Sequence, residues 1–169
     1  MKIIDTRRSV REYSGKEVSD KDITKILKAA MQAPSARNQQ PWEFLVVKDQ
    51  EKKAKIASLV PAMRMAEGAS FLIIFLTRTT RLTAPMYYPQ DLGSSVTCAM
   101  LEARSLGIGS VWCGVSPVKE RMETVRDVFG INDETIEPFS LVCFGYPKSD
   151  DAFKKVKRYD KKRVHFEVL

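Results

Sequence analysis

A short run of wholly apolar residues at positions 71–76 is the feature that most restricts how this chain can fold. It reads F-L-I-I-F-L and is followed by Thr77. Such a run is far too short to cross a bilayer as a helix, which takes about 20 residues. A short apolar stretch rich in aromatic and β-branched residues is typical of a strand buried on both faces of a sheet. We therefore predict a central strand over Phe71–Thr77 that is covered on both sides.

Segments with a helical spacing of apolar residues can supply that cover. Ser19 and Asp22 resemble a capping box at the start of the first of them. Helices are predicted over about Asp20–Ala33, about Gln50–Leu59, Leu92–Leu106 and the segment after Ser116-Pro117. Further strands are predicted at Glu43–Lys48, Ser110–Cys113 and Leu141–Phe144, with a terminal one over Val164–Val168. Residues 1–169 are thus expected to form one α/β (α+β) domain, with a mixed central sheet flanked by helices.

The excess of basic residues points to anionic ligands or partners. The chain has 28 Lys and Arg against 21 Asp and Glu, a formal net charge of +7, and such a field attracts phosphates. The cations concentrate near the N-terminus and in the tail, residues 150–169. This tail has too few apolar residues to build a core of its own. We expect it to pack on the body of the domain or on a partner subunit.

Cysteine usage and the N-terminal sequence favour a cytoplasmic protein that is not bound to a membrane. Cys98, Cys113 and Cys143 are widely spaced and form no C-x-x-C pair, which argues against a disulfide framework and a zinc site. The N-terminus lacks the apolar core of a signal peptide. No metal site is predicted. Cys113 is either a reactive thiol or a small buried filler, which is the commoner role of an isolated cysteine.

Two polar segments are candidates for ligand binding. The run R-R-S-V-R at positions 7–11 places guanidinium groups around a hydroxyl, a donor set that matches a phosphate in geometry and charge. Solvated surface arginines are the alternative interpretation. In P-S-A-R-N-Q-Q-P-W at positions 34–42, amide and hydroxyl groups follow a helix-stopping proline and could bind a polyol or a heterocycle. Here the alternative is a capped turn whose Trp42 packs in the core.

Four motifs in order resemble the nitroreductase family, and the resemblance covers essentially the whole chain. They are T-R-R-S-V-R, A-P-S-A-R-N-Q-Q-P-W, L-G-I-G-S-V-W-C-G and F-G-Y-P. The resemblance implies a nitroreductase-like fold in an intertwined homodimer with an exchanged C-terminal tail. It also implies bound FMN, with NADH or NADPH as co-substrate and a small acceptor such as a nitroaromatic or a quinone. In such an enzyme no side chain is catalytic, because N5 of the flavin carries the chemistry.

The same resemblance implies flavin contacts from separate parts of the chain. The phosphate and neighbouring polar atoms are assigned to Arg7, Arg8, Ser9 and Arg11, with Lys161 and Arg163 as C-terminal phosphate contacts. The ring and ribityl chain are assigned to Pro34, Ser35, Ala36, Asn38 and Gln40 of the opposite subunit. The resemblance also implies that the backbone of Trp112, Cys113 and Gly114 approaches the reactive edge of the ring. The polar pair that larger relatives use against the flavin pyrimidine is not found, and Ala62–Gly68 offers only Arg64 and Glu67 in its place.

Other functions remain open at this point. The basic tail, with Phe153, Tyr159 and Phe166, could bind nucleic acid through phosphate contacts and base stacking, but the chain shows no recognition motif, so we expect no nucleic-acid partner. A family member that holds or cleaves flavin without reductase activity is a further possibility. The G-I-G at 107–109 follows a helix and opens a strand, which argues against a dinucleotide fingerprint. The irregular segment Arg78–Pro89 is either a lid over the substrate or a surface-packed loop.

Overall fold

The structure is a computed structural model that describes residues 2–169. Within this range α-helices are formed at Lys2–Thr6 (α1), Asp20–Ala30 (α2), Gln50–Leu59 (α3), Tyr88–Ser105 (α4) and Lys119–Phe129 (α5). Strands are formed at Trp42–Val47 (β1), Phe71–Arg78 (β2), Gly109–Gly114 (β3) and Ile136–Gly145 (β4). Short 3-10 turns occupy Ala36–Asn38, Pro61–Ala66, Thr79–Arg81, Pro85–Tyr87, Asp150–Phe153 and Lys161–Arg163.

The four strands form one sheet in the order β1-β2-β4-β3, and each neighbouring pair is antiparallel. The predicted central strand, β2, pairs on both sides and is buried along Phe71–Thr77. Among residues 2–169 the one parallel contact is an isolated bridge between Ser9 and Ser110 outside the strand pairs, so the sheet itself is antiparallel and not mixed as expected.

The two faces of the sheet bury separate hydrophobic clusters, as the apolar run of β2 requires. Leu72 and Ile74 belong to a cluster that includes residues of α3 and α5. Phe71 and Ile73 belong to a cluster that includes residues of α2 and α4. On this second face the rings of Phe71 and Phe144 stack with centroids 4.9 Å apart. Helices on both faces of a sheet confirm the α/β fold class.

Local sequence signals fix most of the helix ends. The Ser19 hydroxyl accepts a hydrogen bond from the backbone N–H of Asp22 at 3.2 Å, as the capping box predicts. Helix α2, which was predicted to reach Ala33, ends at Ala30, because the backbone N–H groups of the next residues bond to its last carbonyls in a turn. The strand predicted over Val164–Val168 is wrong for the single chain, where these residues pair with no strand of the sheet. No helix among residues 2–169 is long and apolar enough to span a membrane.

An N-terminal arm, residues 7–14, crosses one end of the sheet. The backbone N–H of Val10 donates to the carbonyl of Ser110 at 3.0 Å, and the Tyr13 hydroxyl donates to the carbonyl of Val10 at 2.9 Å. Farther along, Tyr13 makes an antiparallel bridge with Pro147. Val10 is buried against Gly109, where an added Cβ would lie 2.7 Å from the Cβ of Val10. Glycine at this position lets the arm lie against β3.

Replacing Gly109 by alanine is expected to lift the arm from the sheet. Neither backbone-linked Cβ can rotate away, so Gly109→Ala should lower the free energy of unfolding by about 1–3 kcal/mol, as overpacking does in cores. Urea unfolding followed by circular dichroism measures the change. Gly68→Ala is the control, because no atom lies within 4 Å of its added Cβ. Equal stability losses in the two variants would contradict the proposed contact.

Candidate functional site

The first residues of the arm line a cationic cleft between α1, α4 and the tail, which we call the anion cleft. Its volume is about 720 Å³. The charged groups that line it are Asp5, Arg7, Arg8, Lys155, Lys157 and Arg158. The single carboxylate, Asp5, is paired with Lys155 at 3.3 Å. The cleft therefore carries an excess of positive charge.

The electrostatics of Arg7 show this excess directly. Partial burial lowers the pKa of Arg7, and the positive charges of Arg158 and Arg8 lower it further. No carboxylate pairs with Arg7 among the described residues. Arg8 folds back so that its guanidinium donates to the carbonyl of Asp5 at 2.7 Å and to that of Arg7. An anion between Arg7 and Arg158 would relieve the repulsion of their charges.

The tail reaches the anion cleft by packing on its own chain. The Arg104 guanidinium lies 4.0 Å from the centroid of the Phe153 ring and also donates to the Thr6 hydroxyl at 3.0 Å. These contacts bring Arg158, which the motifs did not single out, to the cleft. The predicted tail residues Lys161 and Arg163 do not line it. Both are exposed, and Arg163 pairs with Asp160 at 3.4 Å.

The far end of the arm lines a second cleft, which we call the arm cleft, of about 520 Å³. It is formed by Arg11, Glu12, Tyr13, Arg64, Met65, Glu67, Gly68 and Lys148. Arg64 and Glu67, the polar side chains available for a flavin pyrimidine, thus lie beside Arg11. Met65 links this cleft to β3, because its sulfur is 3.8 Å from Cys113 Sγ. The arm therefore joins two cationic clefts that are separated by at most about 14 Å of extended chain.

The outer edge of β3 offers backbone groups between these clefts. The carbonyl of Ser110 faces the arm. Because polar groups alternate in direction along a strand, those of Trp112 and Gly114 face the same outer edge. The carbonyl of Gly114 accepts a hydrogen bond from Arg121 at 3.0 Å. The N–H and C=O of Trp112 therefore face the outer edge of the sheet, and their contact with a ligand stays a prediction.

The side chains of β3 alternate between the two faces of the sheet. Trp112 is 38% exposed, packs 5.9 Å from Phe139 between ring centroids, and touches α4 at Gly93. Cys113 points to the opposite face and is buried. A hydrogen bond with Cys143 lowers the pKa of the Cys113 thiol, burial opposes this, and Arg11 and Arg121 lower the pKa further. Burial favours the packing role for Cys113.

The polar loop at positions 34–41 is anchored at the other end of α4. Asp91, which is buried in the first turn of α4, accepts hydrogen bonds from the backbone N–H of Ala36 at 2.9 Å and from Gln39 Nε2 at 2.6 Å. Gln39 also exchanges two hydrogen bonds with the backbone of Ala84. Neither Asp91 nor Gln39 was predicted as part of the site. The sequence does contain a signal for Asp91: a carboxylate on the apolar side of a helix is buried and needs hydrogen-bond donors.

This loop holds an uncommon backbone conformation. Arg37, Asn38 and Gln40 have φ values of 52°, 53° and 45°. Non-glycine residues rarely adopt this left-handed region, and they persist there only where the surroundings hold them. Asn38 and Gln40 side chains bond to each other at 3.0 Å, and the Ser35 hydroxyl accepts from the N–H of Gln40 at 3.1 Å. The loop presents these polar groups in one rigid arrangement.

The segment Arg78–Pro89, which is either a lid or a surface-packed loop, is fixed at its middle and near its C-terminal end. The Ala84 bonds to Gln39 hold its middle, and the Tyr88 hydroxyl donates to Glu137 at 2.8 Å. Burial and this hydrogen bond raise the pKa of Tyr88 to about 12. Met86 and Tyr87 remain exposed between these anchors. The segment is a surface-packed loop in the single chain.

The loop and the arm do not meet within one chain. Asp91 and Arg104 mark the two ends of α4 and are 13 positions apart, which is about 20 Å along a helix. Asp91 and Gly93 lie about 200° apart around the axis, so the loop and Trp112 contact different sides of α4. The structure brings the arm against the start of β3, at Gly109 and Ser110. Within the single chain the loop at 34–41 lies apart from both.

The arrangement suits an elongated organic ligand with an anionic end. The anion cleft would hold the charged group, and the free edge of β3 with the arm cleft would hold a polar heterocycle. Among residues 2–169 no group of three or more His, Cys, Asp or Glu side chains is placed to hold a metal ion.

Known proteins share this fold and sequence pattern. The pattern of the "Nitroreductase family" matches residues 4–63 and 61–146. A relative from Archaeoglobus fulgidus, named "Putative NADH dehydrogenase/NAD(P)H nitroreductase", is 44% identical over 170 residues, covering 99% of this chain and 97% of that protein. A solved structure from Clostridium acetobutylicum, described as "Putative NADH Oxidase", has a TM-score of 0.94 at 37% identity and covers 99% of both chains. An "FMN-dependent Nitroreductase" from Clostridium difficile R20291 has a TM-score of 0.88 at 25% identity, covering 99% of this chain and 98% of that one.

The fold and the two clefts define an α/β protein with an excess of positive charge beside its N-terminal arm. The matches identify it further: the chain belongs to the nitroreductase family. The resemblance carried by the four motifs is thereby confirmed.

The anchoring role of Asp91 can be tested by its removal. Asp91→Ala would leave the Ala36 N–H and the Gln39 amide without their buried acceptor, so the free energy of unfolding should fall by about 3 kcal/mol. Asp20→Ala is the control, because Asp20 forms an exposed pair with Lys48 and should change stability by less than about 1 kcal/mol. Urea unfolding compares the two. A loss for Asp91→Ala no larger than the control's would show that Asp91 does not anchor the loop.

Proposed function

We propose that this protein is an FMN-dependent oxidoreductase that transfers electrons from NADH or NADPH to a small acceptor such as a nitroaromatic or a quinone. The observation that carries the proposal is the pair of cationic clefts joined by the N-terminal arm along the free edge of β3. The FMN-dependent enzyme of the same fold in Clostridium difficile supports the choice of flavin.

The anion cleft fits the phosphate end of FMN. Arg7 and Arg158 present unpaired guanidinium groups, and Arg8 and Ser9 lie beside them on the arm. Guanidinium forks bind phosphate oxygens in matching geometry. Lys161 and Arg163 are proposed to join this phosphate site when the last residues of the tail move against a partner subunit.

The outer edge of β3 and the arm cleft fit the ring. The backbone of Trp112, Cys113 and Gly114 would lie along the reactive edge of the isoalloxazine. Arg11 and Arg64 would face the pyrimidine end, where positive charge favours the reduced form of the flavin. Met65, which is half-buried, and the buried Cys113 lie 3.8 Å apart between their sulfur atoms and connect the arm cleft to the hydrophobic core.

A second copy of the chain completes the site in this proposal. Because the loop lies at the opposite end of α4 from the arm, Pro34, Ser35, Ala36, Asn38 and Gln40 would reach the flavin from the partner of a homodimer. The exposed end of the tail supports such a partner: Tyr159 and Phe166 are each 81% exposed in the single chain. Aromatic side chains exposed to this extent are typical of surfaces that another molecule covers.

Bound FMN would supply the redox chemistry, because its N5 accepts a hydride from reduced nicotinamide and the ring then passes two electrons to the acceptor. The residues of the chain bind and orient it. No acid or base from the protein is required. The small acceptor would use the same exposed face of the ring after the nicotinamide leaves.

The colour and the reduction of the purified protein test the proposal. A yellow preparation that is bleached by NADH or NADPH, and recolours on addition of a quinone, is the expected result. A yellow protein that resists both nucleotides would indicate a family member that holds or cleaves flavin. A colourless protein that takes up no added FMN, but binds oligonucleotide in a salt-dependent manner, would replace the proposal by nucleic-acid binding through the exposed tail.

Removal of Arg7 tests the phosphate site. Each charge-assisted hydrogen bond contributes about 1.5–3 kcal/mol, so Arg7→Ala should weaken FMN binding by about 10- to 100-fold without unfolding the protein. Quenching of flavin fluorescence measures the dissociation constant. Arg81→Ala removes an exposed guanidinium that pairs with Glu43 at 3.7 Å and should leave FMN binding unchanged. If the two variants bind FMN with equal affinity, Arg7 does not bind the phosphate.

A further inference from the structure

Arg121 makes a contact at the reactive end of β3 that no motif pointed to. It lies in the first turn of α5, and its Nη1 donates a hydrogen bond to the carbonyl of Gly114 at 3.0 Å. Gly114 is the last residue of β3 and is exposed. The side chain of Arg121 thus crosses from α5 to the outer edge of the sheet, which the backbone of Trp112 also faces.

The charge of Arg121 is not neutralised by a neighbour. Within the part of the chain that the structure describes, no carboxylate lies within salt-bridge distance of it. Its surroundings are Leu59, Val60, Pro61 and Ala62, with Glu120 and Thr124 on its own helix. Its positive charge therefore acts on the end of β3 with little compensation.

Two observations show that this charge and this hydrogen bond act on β3. The first is electrostatic: Arg121 contributes, after the hydrogen bond with Cys143 and after Arg11, to the lowered pKa of the Cys113 thiol, against the effect of burial. The second is geometric. Immediately after Gly114 the chain turns sharply, with Ser116 N–H bonded to the carbonyl of Phe139 and Val118 N–H to that of Val115, both at 3.0 Å. Arg121 binds the carbonyl of Gly114, the residue just before this turn.

We propose that Arg121 is a positioning residue for the flavin: it holds the end of β3 in place through the Gly114 carbonyl, and its charge favours the reduced flavin. This inference rests on the proposed function. When FMN takes up two electrons and one proton, the ring gains one negative charge. A cation close to the strand that borders the ring stabilises this added charge, and its removal lowers the affinity for reduced FMN more than that for oxidised FMN.

The midpoint potential of the bound flavin tests the proposal. In Arg121→Gln the preference for reduced over oxidised FMN should fall about tenfold, which makes the two-electron potential about 30 mV more negative. Arg121→Lys keeps the charge and should recover most of the shift. Titration of the flavin-loaded proteins with a reductant and a reference dye measures the potential. If Arg121→Gln loses flavin on purification, the ratio of its dissociation constants for oxidised and reduced FMN gives the same quantity.

Arg126→Gln is the matched control. Arg126 lies on the same helix and also donates to backbone carbonyls, those of Ile136 at 2.5 Å and Asp133 at 3.0 Å. These carbonyls lie at and before the start of β4 rather than on β3. Its replacement should leave the potential unchanged. If the potential is unchanged in Arg121→Gln, or if Arg126→Gln shifts it equally, the inference about Arg121 is wrong while the proposed function still stands. A wild-type protein that binds no FMN would overturn the proposed function and this inference with it.

Discussion

The contact between the N-terminal arm and the end of the sheet is the constraint on which the rest of the site depends. Val10 is seated on Gly109, and its N–H bonds to Ser110, so the arm runs beside an edge strand that would otherwise be open. This single contact sets Arg7 at one cleft and Arg11 at the other. An edge strand that is only partly covered keeps backbone groups free for a ligand, and here the free groups lie between two clusters of cations.

The sequence predicted the parts of the fold that depend on local pattern. The run at Phe71–Thr77 became the central strand because a strand with apolar residues on both faces has no stable place outside a covered sheet. The helix over Gln50–Leu59 has the predicted bounds, since Asp49 caps it at 2.8 Å. The motif at positions 7–11 contacts the start of β3 at Gly109 and Ser110, whereas a ligand site shared with positions 112–114 stays a prediction. Periodicity and capping are encoded within a few residues of the element that they define.

What the sequence could not predict are contacts between distant segments. The tail contributes Arg158 to the anion cleft because Phe153 packs on Arg104, and no periodicity in the tail sets that register. The strand expected over Val164–Val168 was wrong for the same reason, because alternation along a segment does not determine which distant edge strand it pairs with, and in the single chain it pairs with none. Asp91 and Gln39 fix the loop through hydrogen bonds that span 52 positions or more. Their residue types indicate that the side chains of Asp91 and Gln39 need hydrogen-bond partners when buried, but the fold determines which residues those partners are.

Several surfaces of the single chain share one property, which is that they expose groups that proteins usually cover. A rigid polar loop presents its groups away from the clefts, the end of the tail exposes aromatic rings, and Trp112 is half-covered beside small residues of α4. Each would be costly as a free surface, because strain, ordered polar groups and exposed apolar area all need compensation. A second copy related by a twofold axis would cover all of them with the same residues from the other side. The excess positive charge of the single chain needs compensation as well: in the anion cleft the one carboxylate, Asp5, pairs with Lys155, so a bound anion would relieve the repulsion between Arg7 and Arg158.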